Sequence, residues 1–581
     1  MLQERILDRL TDLYGRTAAQ ELLQRLQTAE RICPSRLSGT LSDGNSSGEK
    51  VSAGLWSEKD AVLITYGDSI QKPGEVPLQT LGRFVREAVA GALPIVHLLP
   101  FYPYTSDDGF SVSDYTAVRP DLGDWADVAA LGKDADLMFD LVLNHCSASH
   151  VWFQQFLNDA APGNAYFHTP EPDTDLRRVV RPRTHPLLTP YETAAGRKHV
   201  WTTFSADQVD LNFENPDVMG AFLDILLEYA RKGARILRLD AIAFLWKTPG
   251  TSCLHLPETH AVVKVMRDVL DWLAPGVVLL TETNVPHAEN ISYFGRGDEA
   301  RMVYQFSLPP LLLHGLRHGD PAALTAWARN LEPPPEGCTF FNFTASHDGI
   351  GVRPLEGLVP EADVLALAEE IRALGGKVNA RTAPDGREIP YELNATYFSA
   401  LEVPGDTPEL HFRRFLLSQT VPMCLQGMPA YYILSLLAEP NDVAGMEKTG
   451  QNRSIHRKKL DWAHVKRMLT EPEEGEMRPM GSGQCAYGQR AFTEICARLR
   501  VRAGHAYFHP EEPQQIPDAP AGIFMVRRGG EGTALYALHN FTSQTRRVPL
   551  AVKQVLLSDA GVKVAGNEVQ MPGLSFAWVL G

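Results

Sequence analysis

Short apolar runs alternate with helical stretches along most of this 581-residue chain, and that alternation is the tightest constraint on its fold. The runs are AVLITYG (61–67), ALPIVHLLP (92–100), DLMFDLVLNH (136–145), ARILRLDA (234–241), GVVLLTET (276–283), RMVYQFS (301–307), GCTFFNFTASHD (337–348) and SQTVPMCLQG (418–427). Helical stretches such as 214–232 and 258–273 lie between them. Buried strands alternating with helices build a parallel sheet, and eight of them predict an α/β fold with a closed (β/α)8 TIM barrel.

Chemistry-bearing residues fall at the ends of these runs. Asp240 ends the fourth, with Arg238 two residues ahead of it. Glu282 ends the fifth, and His347–Asp348 end the seventh. Strand side chains alternate, so residues 238 and 240 point the same way into the barrel. There the guanidinium can hold the carboxylate ionised and lower its pKa, as a nucleophile requires. A carboxyl at an apolar rim, such as Glu282, has its pKa raised, which suits a general acid. Each segment alone has a structural reading: an ion pair at Arg238–Asp240, a helix cap at Glu282, a turn at His347–Asp348–Gly349, a capped strand end at Asn144–His145. Their shared order and strand spacing favour the chemical reading. Three carboxylates at the ends of three strands are what sugar-bond chemistry needs.

Two gaps are too long for plain loops, 146–206 after the third run and 350–400 after the seventh, and long βα insertions sit at the mouth of a barrel where substrate is held. The expected organisation is an N-terminal helical extension (1–50), a barrel (51–145 and 207–349), an inserted domain (146–206), a smaller insertion with an acceptor loop (350–400), the end of the barrel (401–508) and a C-terminal β-domain (520–581). The first 30 residues have apolar positions at helical spacing (Ile6, Leu10, Leu13, Leu22, Leu23, Leu26), followed by the polar loop SGTLSDGNSSGEK. Proline-rich segments at 471–480 and 509–520 precede three strand-like runs, GIFMVRR, GTALYALHNF and LSFAWVLG.

A net charge of −15 argues against nucleic acid or an anionic membrane as the main partner. The seven cysteines (33, 146, 253, 338, 424, 485, 496) are scattered, with no C-x-x-C pair, as in a reducing compartment. The amphipathic N-terminus lacks the apolar core of a signal peptide, and no run of about 18 apolar residues exists to span a membrane. A cytoplasmic protein, monomer or homodimer, acting on small molecules is expected. No glycine-rich nucleotide loop is present, so no cofactor is expected.

The combined segments resemble the α-amylase superfamily of retaining glycoside enzymes. Within it the chain is similar to the sucrose phosphorylase subgroup, on LPPLLLHGL (308–316), ASHDGIGV (345–352), GTSCLHLPET (250–259), LNATYFSAL (393–401) and NRSIHRKKL (452–460). The resemblance implies Asp240 as nucleophile, Glu282 as acid/base and Asp348 as transition-state stabiliser. It also implies a glucose shell of Asp107, Phe110, His145, Phe204, Gln208, Arg238, His347 and Arg457. Sucrose phosphorylases usually carry Tyr at Phe244, His at Asn284, Tyr at Val180 and Gln at Glu392, so the glucose side matches while the acceptor side departs. RPRTHPLLT, TETNVPH and PYELNATYF resemble a sister group, the glucosylglycerate phosphorylases, whose acceptor is D-glycerate. The implied activity is phosphorolysis of an α-glucoside, most nearly 2-O-α-D-glucosylglycerate, by inorganic phosphate. The alternatives are sucrose, glucosylglycerol or a phosphorylated sucrose as substrate, a hydrolase, or an inactive amylase-like scaffold. Phosphate and glycerate are anions that need local cations. Arg183 aligns with the family's phosphate-site arginine; Arg181, Lys377, Arg381 and Arg387 are the other cations of the two insertions, and Asn284 and Glu392 complete the acceptor-side candidates. Asn144 matches an asparagine that binds calcium in many amylases, but the subgroup generally lacks that ion, so no metal is expected.

Overall fold

The computed structural model of the chain describes residues 1–32, 54–171, 173–382, 387–470 and 487–581. The polar loop at 38–50, the proline-rich segment at 471–480, Cys33 and Cys485 lie outside the described residues.

Eight parallel strands close into a barrel: β1 (Val62–Thr65), β2 (Ile95–Leu98), β3 (Asp136–Val142), β4 (Ala234–Asp240), β5 (Val278–Thr281), β6 (Met302–Tyr304), β7 (Thr339–Phe343) and β8 (Met428–Tyr432). Neighbours in the chain are neighbours in the barrel, and β8 closes on β1 with Ala430 opposite Val62. Being covered by helices outside and packed side chains inside, the strands read as continuous apolar runs rather than alternating ones.

Seven of the eight sequence runs become these strands. SQTVPMCLQG does not: its first seven residues end the helix Pro408–Cys424, and the eighth strand is the next segment, MPAYY. Every residue of that helix from Arg414 to Cys424 is buried, because it is enclosed by the barrel and the C-terminal strands. A helix buried all round has no polar stripe, so its sequence is indistinguishable from a buried strand. Pro422 within it reads as a breaker as well.

The chain after β3 folds over the barrel mouth. His145–Ser147 pairs antiparallel with Gln208–Asp210, and the hairpin Leu188–Thr193/Gly196–Trp201 stands beside them. The chain after β7 does the same: Ile350–Gly351, Glu388–Asn394 and Lys377–Thr382 form a three-stranded sheet against the helix Glu361–Ala373. At the N-terminus, helices Leu2–Tyr14 and Arg16–Gln27 fold back at Gly15 (φ 78°) and bury Ile6, Leu10, Leu22 and Leu26 against the helices Pro216–Arg231 and Pro257–Leu273. At the C-terminus, Ile523–Arg528, Leu535–Asn540 and Ser575–Leu580 are the core of an antiparallel sheet. Their alternation serves two interiors. Ile523, Met525, Leu538, Ala577 and Val579 fill a small core of their own, while Phe524, Val526, Ala537, Phe576 and Trp578 join the main core. No helix among the described residues is long and apolar enough to cross a membrane.

Candidate active site

The register of β3 and β4 sets Asp140 beside Arg238 and Val142 beside Asp240. Arg238 is 2% exposed, and its Nη1 donates to Asp240 Oδ1 at 2.7 Å and also to Asp140 Oδ1. Asp140 Oδ2 lies 2.7 Å from His97 Nε2 on β2. Glu282 follows β5, and its Oε2 is 3.9 Å from Arg238 Nη2. The same oxygen accepts the Ala241 N–H at 2.9 Å. Ala241 has φ 50°, a strained left-handed turn for a residue with a Cβ, and that turn follows directly on Asp240.

The electrostatics differ from the sequence expectation at one residue. Burial works to raise the Asp140 carboxyl, but Arg238 and His97 hold it below its ordinary value. Asp240 was expected to be lowered by Arg238. The guanidinium does pull in that direction, yet it is shared with Asp140. Burial, with the charges of Glu282, Asp140 and Asp348, carries Asp240 well above the usual carboxylate range. Glu282 is raised too, by burial first and then by Asp348 and Asp140, against the pull of Arg238. Asp240 accepts a direct guanidinium bond at 2.7 Å, whereas Glu282 stands 3.9 Å from that guanidinium and accepts the Ala241 N–H instead.

The implied glucose shell gathers around this pair. The His347 ring stacks on Phe110 at 4.6 Å, and its Nε2 lies 3.4 Å from Asp348 Oδ2. His145 Nε2 and Gln208 Nε2 face the Phe110 carbonyl at 2.9 and 3.1 Å. Phe204 packs between His145 and Phe244, with centroids at 5.2 and 5.4 Å. Arg457 donates through Nη1 to Asp108 at 2.8 Å and Asp107 at 3.3 Å, and through Nε to the His347 carbonyl at 2.8 Å. Asp107, Phe110, His145, Phe204, Gln208, His347 and all three carboxylates line one cavity at the mouth, with Arg238 and Arg457 behind its wall.

The acceptor-side candidates divide. Arg183, Asn284 and Glu392 line the same cavity, as does Phe244. Lys377 and Arg381 do not: Lys377 is exposed on its strand, and Arg381 Nη2 lies 2.5 Å from Glu356. Arg387 is paired to Glu361 at 3.1 Å, and Arg181 is exposed. Val180 also stands apart from the lining; its N–H donates to the Ser252 carbonyl at 3.0 Å and ties the arginine loop to the segment after β4. Arg183 lies over the Phe204 and Tyr391 rings, 5.9 and 5.6 Å from their centroids, and among the described residues no carboxylate pairs with it. Among the lining residues that sequence reasoning did not single out are Tyr391 and Arg453. Arg453 Nη2 donates to Glu392 Oε1 at 2.8 Å, supplying the cation that a buried acid requires. The signal was present in NRSIHRKKL, where Arg453 stands four residues before Arg457.

The position of Asn144 is already served by a charge. Lys247, 2% exposed, places its Nζ 2.9 Å from Asn144 Oδ1 and 2.8 Å from Asp210 Oδ2, and it also meets the Phe244 carbonyl. An ammonium in contact with those oxygens does not fit a calcium site. Among the described residues no group of three or more His, Cys, Asp or Glu side chains could hold a metal.

A parallel eight-stranded barrel carrying Asp240, Glu282 and Asp348 at the ends of β4, β5 and β7 defines an α-amylase-type catalytic barrel. A family model described as "Alpha amylase, catalytic domain" matches residues 93–326. The chain is 47% identical over 534 residues to a glucosylglycerate phosphorylase of Allomeiothermus silvanus, covering 91% of each chain. It is 40% identical over 585 residues to one from Escherichia coli, covering both completely. A sucrose phosphorylase of Bifidobacterium adolescentis is 30% identical over 71% of this chain and 82% of its own. The crystal structure of sucrose 6F-phosphate phosphorylase from Thermoanaerobacter thermosaccharolyticum shares the fold, with a TM-score of 0.70 at 22% identity over 83% of this chain and 94% of that one. The chain belongs to the α-amylase family, in the branch that holds the glucosylglycerate and sucrose phosphorylases.

Proposed function

We propose that this protein is a retaining glycoside phosphorylase that converts 2-O-α-D-glucosylglycerate and inorganic phosphate into α-D-glucose 1-phosphate and D-glycerate. One observation carries the reading: the cavity that holds the three carboxylates also holds Arg183, which forms no ion pair with a carboxylate among the described residues. A hydrolase needs no such cation, because water carries no charge, whereas two anionic co-substrates must approach ionised carboxylates. The full-length similarity to glucosylglycerate phosphorylases supports glycerate as the acceptor. So does Asn284, whose buried Oδ1 has no partner among the described residues and can accept from an acceptor hydroxyl.

Asp240 attacks the anomeric carbon, and the bond to the glycerate oxygen breaks as Glu282 delivers its proton to that oxygen. A β-glucosyl-enzyme forms through an oxocarbenium-like transition state. Asp348 holds the 2- and 3-hydroxyls, and the Phe110–His347 stack, His145, Gln208, Phe204 and Asp107 enclose the ring. Phosphate held by Arg183 then attacks the same carbon and the bond to Asp240 breaks. Glu282, now ionised, serves as base or hydrogen-bond partner for the entering phosphate. Two inversions give net retention.

The test measures phosphate-dependent release of glucose 1-phosphate from glucosylglycerate and from sucrose, side by side, with a no-phosphate control. A strong preference for glucosylglycerate is expected. A preference for sucrose would remove the acceptor assignment, and equal release of free glucose without phosphate would make the protein a hydrolase. Asp240→Asn should abolish turnover in every arm; a variant near wild-type activity would end the nucleophile assignment.

A further inference from the structure

Glu392 is an acid buried to 2% exposure on the strand Glu388–Asn394. Such a carboxylate needs donors around it, and three are present. Its Oε1 accepts the Gly349 N–H and Arg453 Nη2, each at 2.8 Å, and its Oε2 accepts Asn379 Nδ2 at 2.8 Å. Asn379 is in turn oriented by Asn452, which donates to its Oδ1 at 2.7 Å. Although burial works the other way, Arg453 and then Arg183 hold the Glu392 carboxyl down to about 2.

The other end of the same guanidinium reaches the catalytic carboxylates. Arg453 Nη1 lies 3.0 Å from Asp348 Oδ1 and 3.3 Å from Asp107 Oδ1. Gly349, whose N–H Glu392 accepts, directly follows Asp348. A Cβ on Gly349 would stand 2.6 Å from Glu392 Cγ, so the two segments are in full contact. One acid therefore grips the Asp348 segment twice, at its backbone and through Arg453.

We infer that Glu392 is a positioning residue for Asp348, acting through Arg453 and the Gly349 N–H, and not a ligand of the acceptor. This rests on the role given to Asp348 above and replaces the acceptor role that the sequence resemblance implied for Glu392. It explains an acid beside an anion site: Glu392 and its neighbours consume the charge of Arg453 and leave Arg183 as the cation for phosphate and glycerate. It also ties the sheet inserted after β7 to the chemistry, because Asn379 and Glu392 lie on facing strands of that sheet.

The experiment separates the glucosyl step from the acceptor step. α-D-Glucosyl fluoride needs no acceptor site and no proton on its leaving group, so the pre-steady-state burst of fluoride reports formation of the glucosyl-enzyme alone. The full-length variants Glu392→Gln and Arg453→Lys are compared with wild type. Both should slow the burst by ~10-fold or more, the scale expected when a reacting group is displaced by a fraction of an ångström. The KM for phosphate in the second step should move by less than ~3-fold. A burst at the wild-type rate in both variants would overturn the inference, as would a slowed burst that merely tracks a fall in the folded fraction by circular dichroism. If Glu392→Gln does not fold, Arg453→Lys alone decides by the same readings. Failure of the proposed function would look different: wild type would release fluoride but transfer glucose to no phosphate, and the burst comparison would still be readable.

Discussion

Arg238 shows how much a single side chain decides by being shared. Its guanidinium reaches Asp140 and Asp240 and stands near Glu282, so no one of the three carboxylates receives its whole charge. That division leaves Asp240 and Glu282 raised together. Arg183 has the opposite character, with aromatic rings beneath it and no carboxylate partner among the described residues. Arg183→Ala should raise the KM for phosphate by ~10-fold or more while the fluoride burst from α-D-glucosyl fluoride stays within ~3-fold of wild type, read by stopped-flow kinetics. At Glu392 the folded value of about 2 lies below the ordinary 4.5. A depressed acid contributes stability that is fully present above its unfolded value and lost as the pH falls through the folded one. The contribution is on the order of 3 kcal/mol at neutral pH. Urea unfolding of wild type and Glu392→Gln should therefore differ at pH 6 and converge as the pH falls from about 4.5 towards 2; curves that stay parallel over that range would contradict the ion-pair account.

Among the elements, the segment after β7 carries the closest tolerances. Gly351 faces Asn284, and a Cβ there would stand 2.5 Å from both amide atoms. Nothing but glycine leaves Asn284 where it is, in the cavity beside Glu282. Gly351→Ala should displace the Asn284 amide, raising the KM for D-glycerate in the synthetic direction by ~10-fold or more with little change in the fluoride burst. Equal KM values in wild type and variant would show that Asn284 does not meet the acceptor. The cations of the inserted sheet do not line the cavity. Arg381 and Arg387 are spent on Glu356 and Glu361 at its edge, whereas Arg453, from a separate turn, reaches into the cavity.

Across the whole molecule, the barrel floor is pinned by a buried arginine that has no carboxylate partner among the described residues. Arg502, 1% exposed, donates to the backbone carbonyls of Met423, Glu58, Asp60, Gly427 and Phe508. Asp60 and Gly427 stand just before β1 and β8, so this side chain clasps the seam where the barrel closes. Arg502→Met would leave five carbonyls without this donor. A loss of about 3 kcal/mol or more is expected in equilibrium urea unfolding, with the fluoride burst of the remaining folded protein unaltered. A loss below about 1 kcal/mol would mean that water replaces the guanidinium at the seam.

Seven of the eight strands, the (β/α)8 class and the placing of Asp240, Glu282 and Asp348 at strand ends were legible in the chain because they depend on local order: apolar runs, their spacing, and the residue that follows each run. The resemblance carried the glucose shell, and the structure brings those side chains together. What the chain by itself did not determine depends on what surrounds an element. Ser418–Cys424 end a helix that is enclosed on every side, and no local pattern records enclosure. The upward shift of Asp240 needs the positions of Asp140, Glu282 and Asp348, which come from other strands. Lys377 and Arg381 were cations on the right insertion facing the wrong way, while Arg453 was overlooked because its partners, Glu392 and Asp348, are 61 and 105 residues away. Charge and hydrogen bonding act over a few ångströms of space, and distance along the chain does not report which charges share that space.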